Sequence, residues 1–385
     1  MKTHVHLYFA AWRGESRAWR AGTTAIQAGH ADNVLYVGHK AVGHPDREEI
    51  APNQTILRIG TEPPRPGSPR LLRALALPRW WRACQRDLAP KDVSLVVAHS
   101  LASLPIAVLL SRHWRTPLLY DAHELETQRE GWSRPIRLIA QVMEWLFIRF
   151  ADHTVVVNDS IKDWYKSRYP FARITTLRNT PSTDRRLAPP GQMRRDLGLG
   201  EDDLIFLYLG RFGPGRGIDL MIEAFKKLPT NKHAVFLGDG PWEEWMKEEA
   251  GKHANIHVLK PVSPEIVASY SSSADVGVSI ANGKSLSYHY GLGNKIFEYS
   301  LAGLALIVSD IPEQRIYVEN HARGWTIPAC ALELETLVRS LTRESIMARP
   351  ERKRFPPSWE TERQVLLSIF LELSNSPPSR VDQTL

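Results

Sequence analysis

Three places in this chain carry residues whose types and spacing suit the handling of a ligand. The first is Gly291 to Asp310, GLGNKIFEYSLAGLALIVSD. Gly291 and Gly293 permit a tight backbone turn. Asn294 is placed to cap the helix that follows, with Glu298 one turn further in. A helix start presents N–H groups and a partial positive charge, which attract an anion. Lys295 adds a full charge beside it, and Glu298 offers a carboxylate suited to sugar hydroxyls. Gly303 fits the end of the helix, and Leu304 to Ser309 reads as a buried strand. Taken alone, the stretch also suits an ordinary helix of a parallel α/β domain. The second place is Gly210 to Gly217, a Gly-rich loop holding Arg211 and Arg216 between a strand and a helix. The third is Asp121-Ala122-His123-Glu124, just past the strand Pro117 to Tyr120. Open α/β sheets bind ligands beyond the C-terminal ends of their strands, so His123 is a candidate. A structural loop histidine is the alternative.

The elements that must position these residues repeat a β-α-β pattern. Val5 to Ala11, a helix from Arg17 to Ala28 and Asn33 to Gly38 open it. Leu95 to Ala98, a long amphipathic helix from Arg134 to Phe150, His153 to Val157 and Ile174 to Leu177 continue it. Ser182 to Gly200, rich in Arg, Pro and Gly, suits a linker. The alternation then restarts with Leu204 to Leu209, a helix from Ile218 to Lys227, Ala234 to Leu237, Ile256 to Leu259 and Val276 to Ile280. The expectation is an α/β chain of two Rossmann-like domains in tandem, in line with its 385 residues. Near the end, Pro356-Pro357-Ser358-Trp359 leads into a helical pattern from Glu360 to Leu373.

Composition narrows the functional classes. A formal net charge of +7 favours anionic partners. Cys84 and Cys330 form no disulfide framework and no metal cluster, so a reducing cytoplasm is the default. Neither a signal-peptide core nor a membrane-spanning apolar run is present. The first β-α turn lacks G-x-G-x-x-G. Gly283-Lys284-Ser285 is no P-loop, because Val278 stands where the first glycine belongs, and Thr127 breaks an H-E-x-x-H pattern at His123-Glu124. Nucleic-acid binding is permitted by charge, but no recognised module appears, and no nucleic acid is expected as a partner.

Read together, several pieces resemble the family 4 retaining glycosyltransferases of GT-B fold. They are Tyr208-Leu209-Gly210-Arg211 with Arg216-Gly217-Ile218-Asp219, then Leu237-Gly238-Asp239-Gly240-Pro241, then Asn294-Lys295-Ile296-Phe297-Glu298-Tyr299 with Ala302-Gly303. Weaker matches are Asp121 to Glu124, Val155 to Asn158 and Leu177 to Thr180. The resemblance implies two Rossmann-like domains facing each other across a cleft, with the C-terminal helix crossing back to the first. On that pattern residues 1–185 form the acceptor domain, joined by 358–375. Residues 186–357 form the nucleotide-sugar donor domain, and 376–385 are a disordered tail.

The resemblance also implies roles. Arg211 matches a diphosphate-binding arginine, and Arg216 stands where the family usually has lysine. Glu298 matches the second glutamate of E-x7-E, which holds the donor ribose; the first falls at Tyr290 and is missing. His123 matches a histidine near the reacting sugar, Val262 falls at the base contact, Asp239 lies in the matched GDGP, and Gly14 lies in a loop over the donor phosphates. Arg211, Arg216 and the helix start at Gly293-Asn294 would stabilise a leaving diphosphate without a metal or cofactor.

The expected activity is sugar transfer, with retention, from a nucleotide-diphosphate sugar to a glycan or lipid-linked acceptor in cell-surface polysaccharide or glycolipid synthesis. Alternatives are a degenerate GT-B homologue that binds nucleotide or membrane without turnover, a sugar-nucleotide epimerase and a phosphorylase; nothing marks the lysine that a phosphorylase needs for its pyridoxal phosphate. Arg65 to Ala89, with six Arg, one Asp and the pair Trp80-Trp81, suggests an anionic membrane surface as a partner on the cytoplasmic face. A helix packed on the sheet with solvated arginines is the competing reading of that segment.

Overall fold

The computed structural model describes residues 1–12, 15–62, 76–183, 189, 191–263, 265–281, 283–350 and 354–375. The chain divides into one unit of Met1–Arg178 with Thr361–Leu385, and a second of Asn179–Glu360.

The first unit is built on an eight-stranded sheet. Its strands are β1 (Thr3–Tyr8), β2 (Asn33–His39), β3 (Arg47–Ala51), β4 (Gln54–Ile59), β5 (Val93–His99), β6 (Leu118–Ala122), β7 (His153–Val156) and β8 (Ile174–Thr176). They lie in the order β3-β4-β2-β1-β5-β6-β7-β8. All neighbours are parallel except β3 and β4. Helices α1 (Ser16–Gln27), α2 (Ala76–Asp87), α3 (Leu104–Trp114), α4 (Arg134–Phe147) and α5 (Asp159–Arg168) connect them. Strands β1, β5 and β6 are buried along nearly their whole length because a parallel sheet is covered on both faces, and the polar residues they carry, such as His6, His99 and Asp121, are buried with them.

The second unit holds six parallel strands in the order β11-β10-β9-β12-β13-β14. They are β9 (Leu204–Leu209), β10 (Lys232–Leu237), β11 (Ile256–Leu259), β12 (Val276–Ser279), β13 (Ala305–Ser309) and β14 (Gly324–Ile327). Alternate residues of β9 feed opposite layers. Phe206 and Tyr208 pack with α6 (Ile218–Phe225), while Ile205, Leu207 and Leu209 pack with α7 (Asn294–Leu301).

The last helix, α8 (Trp359–Asn375), belongs to the first unit from Thr361 onward. Leu366, Ile369 and Phe370 are buried, and Phe370 meets the His4 ring edge-on at 5.3 Å. The Arg178 amide donates to Glu362 at 2.8 Å, and Arg173 pairs with Glu372. The C-terminal segment therefore returns to the first domain.

Three expectations need correction. The span Ser182 to Gly200 contains a short helix, Gln192–Leu197, whose buried Arg194 binds Asp275 at 2.7 Å. The β3–β4 hairpin was not expected. Trp80 is 1% exposed, donates to the Gly38 carbonyl at 3.3 Å and packs on Phe9 and His39. It is a core residue of α2, so it cannot insert into a headgroup layer, although Arg79, Arg82 and Arg86 are exposed. Residues 63–75 of that segment, Gly14 and the tail 376–385 lie outside the described residues.

Candidate active site

In the second unit, close backbone packing shapes the site. Gly217 has φ +70°, and a Cβ there would stand 2.0 Å from the Ile280 carbonyl oxygen. A Cβ on Gly238 would meet the Gly210 oxygen at 1.9 Å, and one on Gly240 the Phe212 oxygen at 2.2 Å. The loop after β9 is thus clamped between the loops after β10 and β12, and only glycine fits at the clamp points. The Phe212 amide donates to the Asp239 carbonyl at 2.5 Å, which leaves the Asp239 side chain exposed.

Helix α7 is locked under this loop by Tyr299. Its hydroxyl accepts from the Leu209 amide at 2.8 Å and donates to the Val278 carbonyl at 3.2 Å. A Cβ on Gly277 would stand 2.2 Å from its ring. The helix opens differently from the sequence expectation. Gly293 occupies the N-cap in an extended conformation open to any residue (φ −67°), and no side chain caps the helix. Asn294 is therefore the first helical residue, not the cap. Gly303, at φ +80° just past the last turn, closes the helix in the left-handed conformation expected of it.

Lys295 is half-buried, its ammonium turned inward to 3.3 Å from the centre of the Tyr208 ring. Burial, and then the nearby Arg216, hold its pKa well below that of an ordinary lysine. Burial pushes Tyr208 up to about 12, against the pull of Arg216 beside its hydroxyl. The Tyr208 hydroxyl donates to the Arg211 carbonyl at 3.1 Å, and the Arg211 side chain is exposed. Among the described residues, no carboxylate pairs with Arg211, Arg216 or Lys295. Glu298 is half-buried on the same helix, Val262 packs partly against the core, and the Tyr290 ring lies tilted against His289 with centroids 5.2 Å apart.

His123 lies in the first unit, at the end of a buried polar chain. Its Nε2 is 3.1 Å from His99 Nδ1, and His99 Nε2 is 2.9 Å from His6 Nδ1. Asp121 Oδ2 sits 3.2 Å from His99 Nδ1 and 3.5 Å from His123 Nε2. Arg17 reaches both Asp121 oxygens at 2.8–3.1 Å and donates to the Leu177 carbonyl at 2.8 Å. Burial pushes the Asp121 pKa upward, but Arg17 and the histidines more than offset it, and the net shift is well downward. Burial holds His99 and His6 below the usual histidine range. The His123 amide donates to the buried Glu126 at 3.3 Å, and Arg129 binds that same carboxylate at 2.7 Å. His99, Asp121 and His123 offer ligand-type atoms within 4.8 Å of one another. Arg17 already neutralises the carboxylate, which suits a hydrogen-bonded histidine better than a cation.

The reading of residue types found His123 but missed His99, His6 and Arg17. Their side-chain partners lie 24 to 104 residues away in sequence, and the one local signal was the polar His99-Ser100 at the end of β5.

Two parallel-sheet α/β units in series, with the last helix returning to the first, define the GT-B class. Residues 14–185 match the family model Glycosyltransferase Family 4, and residues 191–355 match Glycosyl transferases group 1. The chain belongs to this glycosyltransferase family. It is similar to a sucrose-phosphate synthase from Thermosynechococcus elongatus (TM-score 0.75, 18% identity, 97% of this chain and 99% of that one). It is also similar to Anabaena HepE, solved with UDP and glucose (TM-score 0.69, 15% identity, 96% and 99%). A curated relative is the lipopolysaccharide 1,2-N-acetylglucosaminetransferase of Salmonella typhimurium, 34% identical over 90 residues. That match spans 22% of this chain and 23% of the relative.

Proposed function

We propose that this protein transfers a sugar, with retention at the anomeric carbon, from a nucleoside-diphosphate sugar to an acceptor. The observation that carries this is the pairing of Arg216 and Lys295 without a carboxylate, beside a glycine-clamped loop and a helix N-terminus. Two adjacent cations with no carboxylate partner among the described residues suit a dianionic group that arrives with the substrate.

In this reading Arg211, Arg216, Lys295 and the N–H groups at Gly293 and Asn294 hold the diphosphate. They stabilise the charge that grows on it as the glycosidic bond breaks, and the reading invokes no metal. Glu298 takes the ribose hydroxyls, Val262 lies by the base, and Asp239 belongs to the donor surround; Gly14 keeps the role that the family resemblance gives it. The acceptor hydroxyl attacks from the face the diphosphate leaves, and the diphosphate oxygen takes its proton. His123, oriented by His99 and Asp121, is assigned to the reacting sugar on the family resemblance. The acceptor is a lipid-linked or other membrane-held glycan at the cytoplasmic face, in polysaccharide or glycolipid synthesis. The replacement of the first motif glutamate by Tyr290 favours a second reading, a homologue that binds nucleotide without turnover.

The test is thermal shift with UDP, GDP and ADP, followed by nucleotide release from the sugar derivative of the nucleotide that binds. Arg211→Ala and Arg216→Ala should lower kcat by ~10²–10³-fold, whereas Glu298→Ala should mainly weaken nucleotide binding. Full activity in Arg211→Ala would refute the diphosphate assignment. Tight nucleotide binding without any release would favour the non-catalytic reading.

A further inference from the structure

Helix α4 is folded with its apolar face outward. Ile139, Val142 and Trp145 are 67%, 51% and 48% exposed, with Leu138 at 62% and Leu146 at 44%. The residues turned to the protein are Ala140 and Glu144. A helix packed on a sheet normally reverses this arrangement. Here the inward face is held by polar bonds: Tyr120, Tyr165 and Tyr169 all donate to the Glu144 carboxylate at 2.6–2.9 Å. The structure thus spends a buried carboxylate and three tyrosines on keeping the apolar stripe in solvent, and a patch of this kind marks an interaction surface.

The charge around the stripe indicates its partner. From Gly131 to Ala151 the only acidic residue is Glu144, which is buried, while Arg134, Arg137 and Arg149 lie in the same span. Arg134 and Arg149 are exposed at opposite ends of the helix, and Arg149 lies 4.0 Å over the Trp145 ring. Arg112 of α3, also exposed, lies 4.1 Å over the Phe150 ring. An apolar stripe bordered by arginine, with tryptophan at its edge, matches an anionic phospholipid surface: acyl chains take the stripe and headgroups take the guanidinium groups.

We propose that α4 docks the protein on an anionic bilayer. The proposal rests on the reading of a membrane-held acceptor for its purpose, and it moves the membrane contact from α2, where Trp80 is core, to α4.

The full chain is sedimented with phosphatidylcholine vesicles, with and without phosphatidylglycerol. Wild type should bind only the anionic vesicles. Leu138→Glu/Val142→Glu and Arg134→Glu/Arg149→Glu should each weaken that binding by at least about 10-fold. Arg79→Glu/Arg82→Glu/Arg86→Glu should leave it within about 2-fold, since α2 makes no bilayer contact in this arrangement. Circular dichroism and nucleotide thermal shift check that each variant is folded. Nucleotide release in the absence of vesicles should be unchanged in the α4 variants, so failure of the chemistry and failure of the docking surface are read separately. Absence of vesicle binding by wild type, equal binding to neutral vesicles, or loss of binding in the α2 variant alone would overturn the proposal. So would a dimer, seen by light scattering, that the α4 substitutions dissociate while vesicle binding persists.

Discussion

Replacing Glu144 by glutamine should reshape the pH dependence of stability in the first unit. The carboxyl is fully buried; Tyr120 and Tyr165 donate to Oε1, and Tyr169 donates to Oε2. Burial pushes its pKa from 4.5 up to about 7, although the three hydroxyl donors favour the charged form. An acid whose pKa rises on folding holds its proton more tightly in the native state. The stability it contributes is complete below the unfolded value of 4.5 and is lost as the pH rises through about 7. At about 1.4 kcal/mol per pH unit, the interval is worth about 3 kcal/mol. Glutamine keeps the Oε1 acceptor and turns an NH₂ toward the Tyr169 oxygen, so the hydrogen bonds persist without the titration. The buried histidines His4, His6 and His99 have lowered pKa values and cost stability as the pH falls below 6.5, but they do so equally in both proteins. The assay is urea unfolding at pH 4.5 to 8.5, read by hydrogen exchange in peptides from β6 and α4. The stability difference between wild type and variant should move by about 3 kcal/mol in favour of Glu144→Gln across that range. A difference that stays flat with pH would refute the reasoning.

Arg17→Met leaves Asp121 buried beside two histidines without its guanidinium, and should cost about 3–5 kcal/mol by chemical denaturation. Tyr299→Phe leaves the Leu209 amide and the Val278 carbonyl without a hydroxyl, and should cost about 1–3 kcal/mol while weakening nucleotide binding, both readable by thermal shift.

Legibility in the sequence followed the physics of each element. Strands β9 and β11 were bounded to the residue: β9 is a fully buried, continuous apolar run, and β11, a partly exposed edge strand, is a short run set off by Asn255 and Lys260. The β3–β4 hairpin was missed, because β3, REEIA, is a polar edge strand whose charges hide the alternation. The cap at Asn294 was misplaced by one residue, since extended Gly293 can begin a helix as well as a capping side chain can. The clamp around Gly217 was half visible: the glycines stood out, but their backbone neighbours come from loops after other strands. The histidine chain was least legible, because parallel strands far apart in sequence bring its members together. For α4 the period of apolar residues identified a stripe correctly but could not say which way it faced. That depended on Glu144 finding three tyrosines on β6, on α5 and just beyond it.

Buried charges in the two units do not all have a partner of opposite sign. In the first, Asp121 has Arg17, and Glu126 has Arg129. In the second, Asp275 has Arg194 and Arg343, but among the described residues Lys295 meets the Tyr208 ring and the repulsion of Arg216 and no carboxylate. A base whose pKa falls on folding makes the folded state bind fewer protons, so its charge is a burden on stability at every pH below 10.5, neutral pH included. The contact with Tyr208 returns about 0.5–2 kcal/mol, while burial and then Arg216 act against the charged form. Lys295→Met, which retains the packing stem, should therefore leave the ligand-free protein as stable as wild type or more so, judged by thermal unfolding. The same protein should lose the stabilisation that nucleoside diphosphates give to wild type, because the counter-ion that justifies the lysine is the ligand. A ligand-free Lys295→Met protein clearly less stable than wild type would mean that the lysine serves the fold, and the assignment of the second unit as the anion-binding half would lose its main support.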